Sequence, residues 1–184
     1  MMNAPLPGTW WVRDGVFLAG GFPGDADVPT AIAKLRCLLN AGVRCFISLQ
    51  QPGEMDWYAP ATPYVKIVKT LAEEMGVNVV CHNFPIVDMD VPDEPLMRDI
   101  LDAIKAAVQE EQCVYVHCWG GHGRTGTVVG CWLREHGFSG EEALRRIRRL
   151  RRHDPHLMEW DSPQTKAQRD MILTWNASDK SVEQ

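Results

Sequence analysis

The sequence predicts an α/β domain with a mainly parallel central sheet of about four to five strands, flanked by helices. Three observations lead there. Short apolar runs alternate with segments of helical period, the order that yields parallel sheets. Gly, Pro, Asn and Asp punctuate the chain between those runs. The length of 184 residues, 45% hydrophobic and 23% charged, suits one domain with its own core. A single domain over residues 1–184 is therefore expected.

The elements follow in order. Apolar residues on either side of Asp14-Gly15 predict an opening hairpin, Trp10–Val12 with Val16–Leu18. Gly20–Pro29 reads as a loop. A helix capped near Asp27 runs from about Thr30 to Asn40 and stops at Gly42. Val43–Leu49 is a short strand, and Gln50–Thr62 a polar loop. Val65–Met75 is a helix ended by Gly76, and Val77–Phe84 a strand. Pro85–Pro95 is a loop with three Asp, one Glu and three Pro. Leu96–Gln109 has helical period, Cys113–Cys118 is a buried strand, and Arg124–His136 is a helix closed by Gly137. Ser139-Gly-Glu-Glu142 spells a capping box that opens another helix. Ser162-Pro163 reads as an N-cap and first helical residue, opening the last helix. The tail after about residue 176 is expected to be disordered.

Composition excludes several classes. A net charge of −5 argues against a general nucleic-acid binder. No apolar run approaches the ~18 residues of a membrane span, and the N-terminal segment lacks the pattern of a secretory signal. The six cysteines include no CxxC pair, which fits free thiols in a reducing, cytoplasmic setting.

The chemistry is concentrated in Val114-Tyr-Val-His-Cys118-Trp-Gly-Gly-His-Gly-Arg124-Thr125-Gly126. A buried strand enters a loop containing Gly120, Gly121 and Gly123, and the loop enters a helix. Such a loop points successive N–H groups inward and makes an oxyanion site at the helix N-terminus. Arg124 adds a planar fork suited to two phosphate oxygens. A thiol in that positive field is a nucleophile, and Cys118 stands at the loop entrance.

Other readings are weaker. Gly121-x-Gly123-x-x-Gly126 spells a dinucleotide fingerprint, but that pattern explains neither the Cys at the strand end nor the Arg in the turn. The GxxxxGK[ST] loop of nucleotide hydrolases is absent. His117 and Cys118 are adjacent on a strand and face opposite sides, so they make a poor metal site with His122, and no metal or cofactor is expected.

The segment His117-Cys118-x5-Arg124-Thr125-Gly126 resembles the HCx5R[ST]G signature of the cysteine-dependent protein tyrosine phosphatases, a highly specific motif. The form HCWGGHGRTG looks most like the small atypical dual-specificity enzymes, the kinase-associated phosphatase-like and compact microbial members. The resemblance runs from about Gly20 to Trp175. It implies a protein tyrosine phosphatase-like fold and a metal-independent phosphomonoester hydrolase working through a phosphocysteine.

Further roles are implied by the same resemblance. Cys118 is the nucleophile, and Trp119, Gly120, Gly121, His122, Gly123 and Arg124 hold the phosphate. Phe84-Pro-Ile-Val-Asp88, thirty residues before the nucleophile, matches the family's mobile loop and makes Asp88 the general acid. Where the family often has Gly-Gly next, this chain has Met89-Asp90, so Asp90 and Asp93 remain rivals for that role. Pro163-Gln164-Thr165-Lys-Ala-Gln168 looks like the QTxxQ element; Gln164 would orient water, with Gln168 supporting, although a helical-surface role is equally open. Glu54 in Leu49-Gln-Gln-Pro-Gly-Glu54 matches a loop Glu near the pocket and is a partner for Arg124. Thr125 fits the hydroxyl that eases thiolate departure, and His117 the residue that orders the loop. His122 stands where protein phosphatases commonly have an apolar residue and adds a pH-dependent charge near the pocket. The lysine pair of phosphoinositide phosphatases is absent.

Leu144–Arg152 carries six Arg, with Leu144, Ile147 and Leu150 at every third position. The apolar stripe is expected in the core and the arginines on a solvated face; a docking patch for acidic phosphoprotein or RNA is the sharper alternative. The expected partner is a phosphorylated substrate, of protein type, with no membrane or nucleic acid, acted on by a monomer. The alternatives are a phosphatase of phosphoinositide, inositol phosphate, phosphoglycan or RNA 5′-triphosphate, and a phosphoryl-binding module without turnover.

Overall fold

The Asp27 carboxylate accepts the Thr30 amide at 2.9 Å and starts the first helix, with Pro29 in its first turn. Such local signals set most element boundaries in the computed structural model, which describes residues 2–54 and 64–177. The expectation of a disordered tail falls on 178–184, outside the described residues, as does part of the Gln50–Thr62 loop.

The described residues form strands β1 (Thr9–Arg13), β2 (Phe17–Gly20), β3 (Val43–Ser48), β4 (Val80–Asn83) and β5 (Cys113–His117). The helices are α1 (Val28–Asn40), α2 (Tyr64–Glu74), α3 (Glu94–Gln109), α4 (Gly123–Glu135), α5 (Gly140–Arg151), α6 (Pro155–Met158) and α7 (Lys166–Thr174). Gly42, Gly76 and Gly137, where the sequence ends three helices, all take positive φ (94°, 68° and 88°).

The sheet order is β1-β2-β5-β3-β4. Only the β1–β2 hairpin is antiparallel; β2–β5, β5–β3 and β3–β4 are parallel. Alternation along β5 divides the core. Val114 and Val116 face one cluster with Trp10, Phe17, Ile47 and the residues of α3, α4, α5 and α7. Cys113 and Tyr115 face the other, with Phe46 and the residues of α1 and α2. Gly20 and Ser48 both pair in register with His117, so three strands end at one level, and the phosphate-type loop leaves from that edge.

Two local expectations are corrected. The last helix does not open at Ser162-Pro163. The Ser162 hydroxyl is committed to the His122 carbonyl (2.7 Å), and Thr165 caps α7 in a capping box with Gln168. The arginine run is also not wholly solvated. Ile147 and Leu150 are buried, but so is Arg151, at 2% exposure. Arg145, Arg148, Arg149 and Arg152 are exposed.

Candidate active site

The loop after β5 is held on two sides before it becomes helix α4. On one side it meets the end of β2. The Phe22 amide donates to the Trp119 carbonyl at 2.8 Å, and a Cβ on Gly121 would come 2.5 Å from the Gly20 carbonyl carbon. Gly121 also has φ +75°, so both space and backbone require glycine there. On the other side lies the start of α7. A Cβ on Gly123 would lie 2.7 Å from Gln164 Oε1 and 3.0 Å from Gln168 Nε2.

Among the described residues, the amides of Gly120, Gly121, His122 and Gly123 donate to no protein carbonyl. They are the unpaired donors of a helix N-terminus, the natural seat of an anion. Cys118 is 3% exposed at the entrance of this loop.

Arg124, 1% exposed, is fixed by the protein along one edge. Nη1 and Nη2 meet Glu54 Oε2 and Oε1 at 2.6 and 2.7 Å, a two-pronged ion pair. Nη1 also donates to the carbonyls of Ile86 (3.1 Å) and Leu49 (3.4 Å). Its Nε is buried and finds no acceptor among the described residues. Burial works against the charge, but Glu54, Cys118 and Asp88 outweigh it and hold the guanidinium pKa above its ordinary value. Burial likewise opposes ionisation of Glu54, yet the Arg124 and Gln51 hydrogen bonds leave its pKa lowered.

Of the three aspartates in the acidic loop, one faces the site. Asp88 Oδ1 is 2.9 Å from Arg124 Nη2, while the side chain stays 63% exposed. Asp90 turns its Oδ1 back to the Val91 amide (2.8 Å). Asp93 caps α3 by accepting the Leu96 amide (2.9 Å). The loop is anchored beside β3: the Phe84 and Ile86 amides donate to the Ser48 and Leu49 carbonyls at 2.9 and 3.1 Å. Met89, at one of the positions where the resemblance leads one to expect glycine, has φ +63°. A methionine in that region is strained.

Gln168 is fully buried rather than on a helix surface. Its Oε1 accepts the Gln164 and Thr165 amides, each at 3.1 Å, and its Nε2 donates to the Asp90 carbonyl at 3.1 Å. It thus ties α7 to the acid loop. Thr125 is buried, and its hydroxyl makes a long contact to the Gly20 carbonyl (3.4 Å).

His117 is also fully buried. Its Nδ1 lies 3.2 Å from the Cys118 carbonyl and its Nε2 2.9 Å from the Tyr64 hydroxyl. A carbonyl only accepts, so Nδ1 carries the proton and Nε2 accepts from Tyr64. Burial, more than any charge, lowers the His117 pKa to about 4. Burial raises that of Tyr64, keeping its hydroxyl a donor.

His122 does not add the expected charge. Arg151 Nη2 donates into its Nδ1 at 2.7 Å, and burial together with that cation lowers its pKa to about 4. Arg151 is the site neighbour that the sequence did not single out. In a run of six arginines nothing local distinguishes it; only contacts with the His122 ring and with the carbonyls of Leu157 (2.5 Å) and Trp160 (3.1 Å) do.

Burial pushes the Cys45 and Cys113 thiols up to about 12, and raises those of Cys81 and Cys131. These thiols are packing groups. Among the described residues no cluster of His, Cys, Asp or Glu could hold a metal ion, and no helix is long and apolar enough to cross a membrane.

The amides of Gly120–Gly123, without carbonyl partners among the described residues, set between Cys118 and a buried, pre-aligned Arg124 on this sheet order, fit a cysteine-based phosphatase of the protein tyrosine phosphatase superfamily. The family model PTP-SAK, described as Swiss Army Knife protein, DSP-PTPase phosphatase domain, matches residues 17–184, and the chain belongs to that family. It is 33% identical over 157 residues to mouse Phosphatidylglycerophosphatase and protein-tyrosine phosphatase 1, covering 83% of this chain and 72% of that protein. It is 30% identical over 124 residues to mouse Protein tyrosine phosphatase domain-containing protein 1; that match takes in 67% of this chain but only 16% of the mouse protein. The crystal structure of a kinase associated phosphatase with serine at its catalytic cysteine superposes with a TM-score of 0.68 and 18% identity, covering 85% of this chain and 83% of that one. That last likeness concerns the fold alone.

Proposed function

We propose that the chain is a protein tyrosine or dual-specificity phosphatase that works without a metal, with residues 17–177 as one catalytic unit. Cys118 attacks phosphorus in line, the S–P bond forms and the ester P–O bond breaks. Asp88 gives its proton to the leaving oxygen. Arg124 and the loop amides from Trp119 to Arg124 hold the three remaining oxygens. Water then attacks the phosphocysteine while Asp88 takes its proton and Gln164 orients it. The S–P bond breaks, and the Thr125 hydroxyl eases departure of the thiolate. His117, Glu54 and Gln168 position the loop, the arginine and the acid loop.

The observation that carries the reading is the guanidinium of Arg124. Its outer edge is locked by Glu54, while its buried Nε has no acceptor among the described residues. A protein substrate is favoured by the rim: Val87, Met89, Trp119 and Trp160 are exposed apolar side chains on the loops around the site, suited to pack against an aryl ester. A thiol nucleophile works in a reducing compartment, and the cytoplasm is the setting proposed, with a monomer as the active form.

The test is hydrolysis of 4-nitrophenyl phosphate in excess chelator, followed by a panel of phosphotyrosine and phosphothreonine peptides, phosphoinositide, inositol phosphate, phosphoglycan and RNA 5′-triphosphate. Chelator-resistant release, a pre-steady-state burst, vanadate inhibition and loss of activity in Cys118→Ser are expected. Phosphate binding without release would instead make the chain a phosphoryl-binding module. Preference for a non-peptide substrate would overturn the protein assignment.

A further inference from the structure

Arg151 is a buried cation placed behind the phosphate-type loop by a helix that is otherwise basic on its open face. Its guanidinium meets three acceptors among the described residues: the ring Nδ1 of His122 and the carbonyls of Leu157 and Trp160. The two carbonyls fix its plane and direct Nη2 at the imidazole, 2.7 Å away. A guanidinium only donates, so Nδ1 of His122 is the acceptor and cannot carry a proton. A neutral imidazole with a bare Nδ1 has its proton on Nε2. The Cδ2–Nε2 edge of that ring lies over Gly120: a Cβ there would be 2.8 Å from Cδ2 and 3.3 Å from Nε2.

The remaining neighbours hold this arrangement in place. Trp160 stacks on the His122 ring at 6.0 Å and 25°, and the Ser162 hydroxyl donates to the His122 carbonyl. Burial lowers the Arg151 pKa to about 10, against Asp161 and Asp154, which favour its charge; Asp161 is also paired to Arg169 at 3.2 Å. Within the loop and α4, the charged or nucleophilic groups are Cys118, Arg124, Cys131, Arg134 and Glu135, and Arg151 is the charged group that acts on the His122 ring. Among the described residues no carboxylate acts on the imidazole to favour its protonation.

We propose that Arg151 is a positioning residue that keeps His122 neutral in the Nε2–H tautomer. The anion loop then contains a fixed neutral donor beside Gly120 instead of a charge that comes and goes near neutrality. The catalytic consequence rests on the phosphatase reading of the Cys118–Arg124 loop. Phosphate affinity is set by Arg124 and the amides, and kcat/KM shows no His122 ionisation between about pH 5 and 8. Burial of the ring works in the same direction.

The experiment is nitrogen NMR of ring-labelled histidine in the full chain across that pH range, with Arg151→Met and Arg151→Lys alongside. The expected result is a single Nε2-protonated His122 ring that does not titrate. In Arg151→Met the midpoint should rise toward the ordinary 6.5 without reaching it, because burial of the ring remains, and kcat/KM for 4-nitrophenyl phosphate should gain a matching inflection. Arg151→Lys, which keeps a charge and a donor, should return the ring to its neutral form. An Nδ1-protonated ring, titration in the unsubstituted chain, or an unmoved midpoint in Arg151→Met would overturn the proposal. If Arg151→Met does not fold, the tautomer in the unsubstituted chain decides by itself. The ring measurement needs no turnover, so a chain with the expected tautomer but no hydrolysis counts against the catalytic reading alone.

Discussion

Asp88 Oδ1 rests 2.9 Å from Arg124 Nη2, on the same guanidinium whose other contacts align it at the phosphate-type loop. In the proposed mechanism the acid and the anion holder are thus joined before any substrate arrives, and an incoming phosphoryl oxygen competes with a carboxylate for that nitrogen. In Asp88→Asn the competition weakens and the proton donor is lost. Turnover of alkyl phosphates should fall about 10²–10⁴-fold, with a smaller loss for 4-nitrophenyl phosphate, while inorganic phosphate inhibits at lower concentration. Equal losses on good and poor leaving groups would remove Asp88 from the acid role, and a larger loss in Asp90→Asn would transfer it.

Glu54→Gln tests the other contact of Arg124. The two-pronged ion pair becomes at best one neutral hydrogen bond to a guanidinium that is 1% exposed. A loss of about 1–3 kcal/mol is expected, read by urea denaturation. KM should rise more than kcat falls, because the arginine keeps its charge but not its orientation. An unaltered KM would show that the Ile86 and Leu49 carbonyls suffice to aim it.

Acid should destabilise the protein in two stages. Burial lowers the His117 pKa to about 4, whereas in the unfolded chain the imidazole gains its proton near 6.5. Between those values the unfolded state binds the additional proton, so stability falls as pH drops from about 6.5 to about 4, by about 3 kcal/mol when complete. Glu54 acts lower on the scale. Its folded pKa lies below the ordinary 4.5, so its contribution is present above that value and is lost as pH falls through the folded one. Denaturation midpoints measured in pH steps should show both, and His117→Gln should flatten the upper stage only.

Met89→Gly should stabilise the chain. The residue has φ +63° and is half exposed, so glycine removes left-handed strain of about 1 kcal/mol at little cost in packing. A higher thermal midpoint is the expected outcome. A lower one would mean that the thioether is held by contacts stronger than the strain.

Much of this arrangement is written locally. Asp27, Ser139 and three terminal glycines mark helix ends because capping acts over three or four residues. The strand–Gly-loop–helix order of Val114–Gly126 announces an anion site for the same reason. What escaped the sequence depends on partners far along the chain. Ser162 resembles an N-cap until His122, forty residues earlier, takes its hydroxyl. His122 resembles a pH-dependent cation until Arg151, 29 residues later, donates into its ring. Periodicity places Arg151 beside Leu150 but gives no sign that it turns inward, since the carbonyls that receive it belong to the short α6 and the residues just after it.

The start of α7 and the residues before it hold the site together in time as well as space. Ser162 grips the loop carbonyl, Gln164 packs on Gly123, and Gln168 reaches the acid-loop backbone at Asp90. All five strands and the loop itself lie earlier in the chain. During synthesis the sheet can therefore form first, and the loop carbonyl of His122, the face of Gly123 and the backbone at Asp90 gain their partners only when residues 162–168 have left the ribosome.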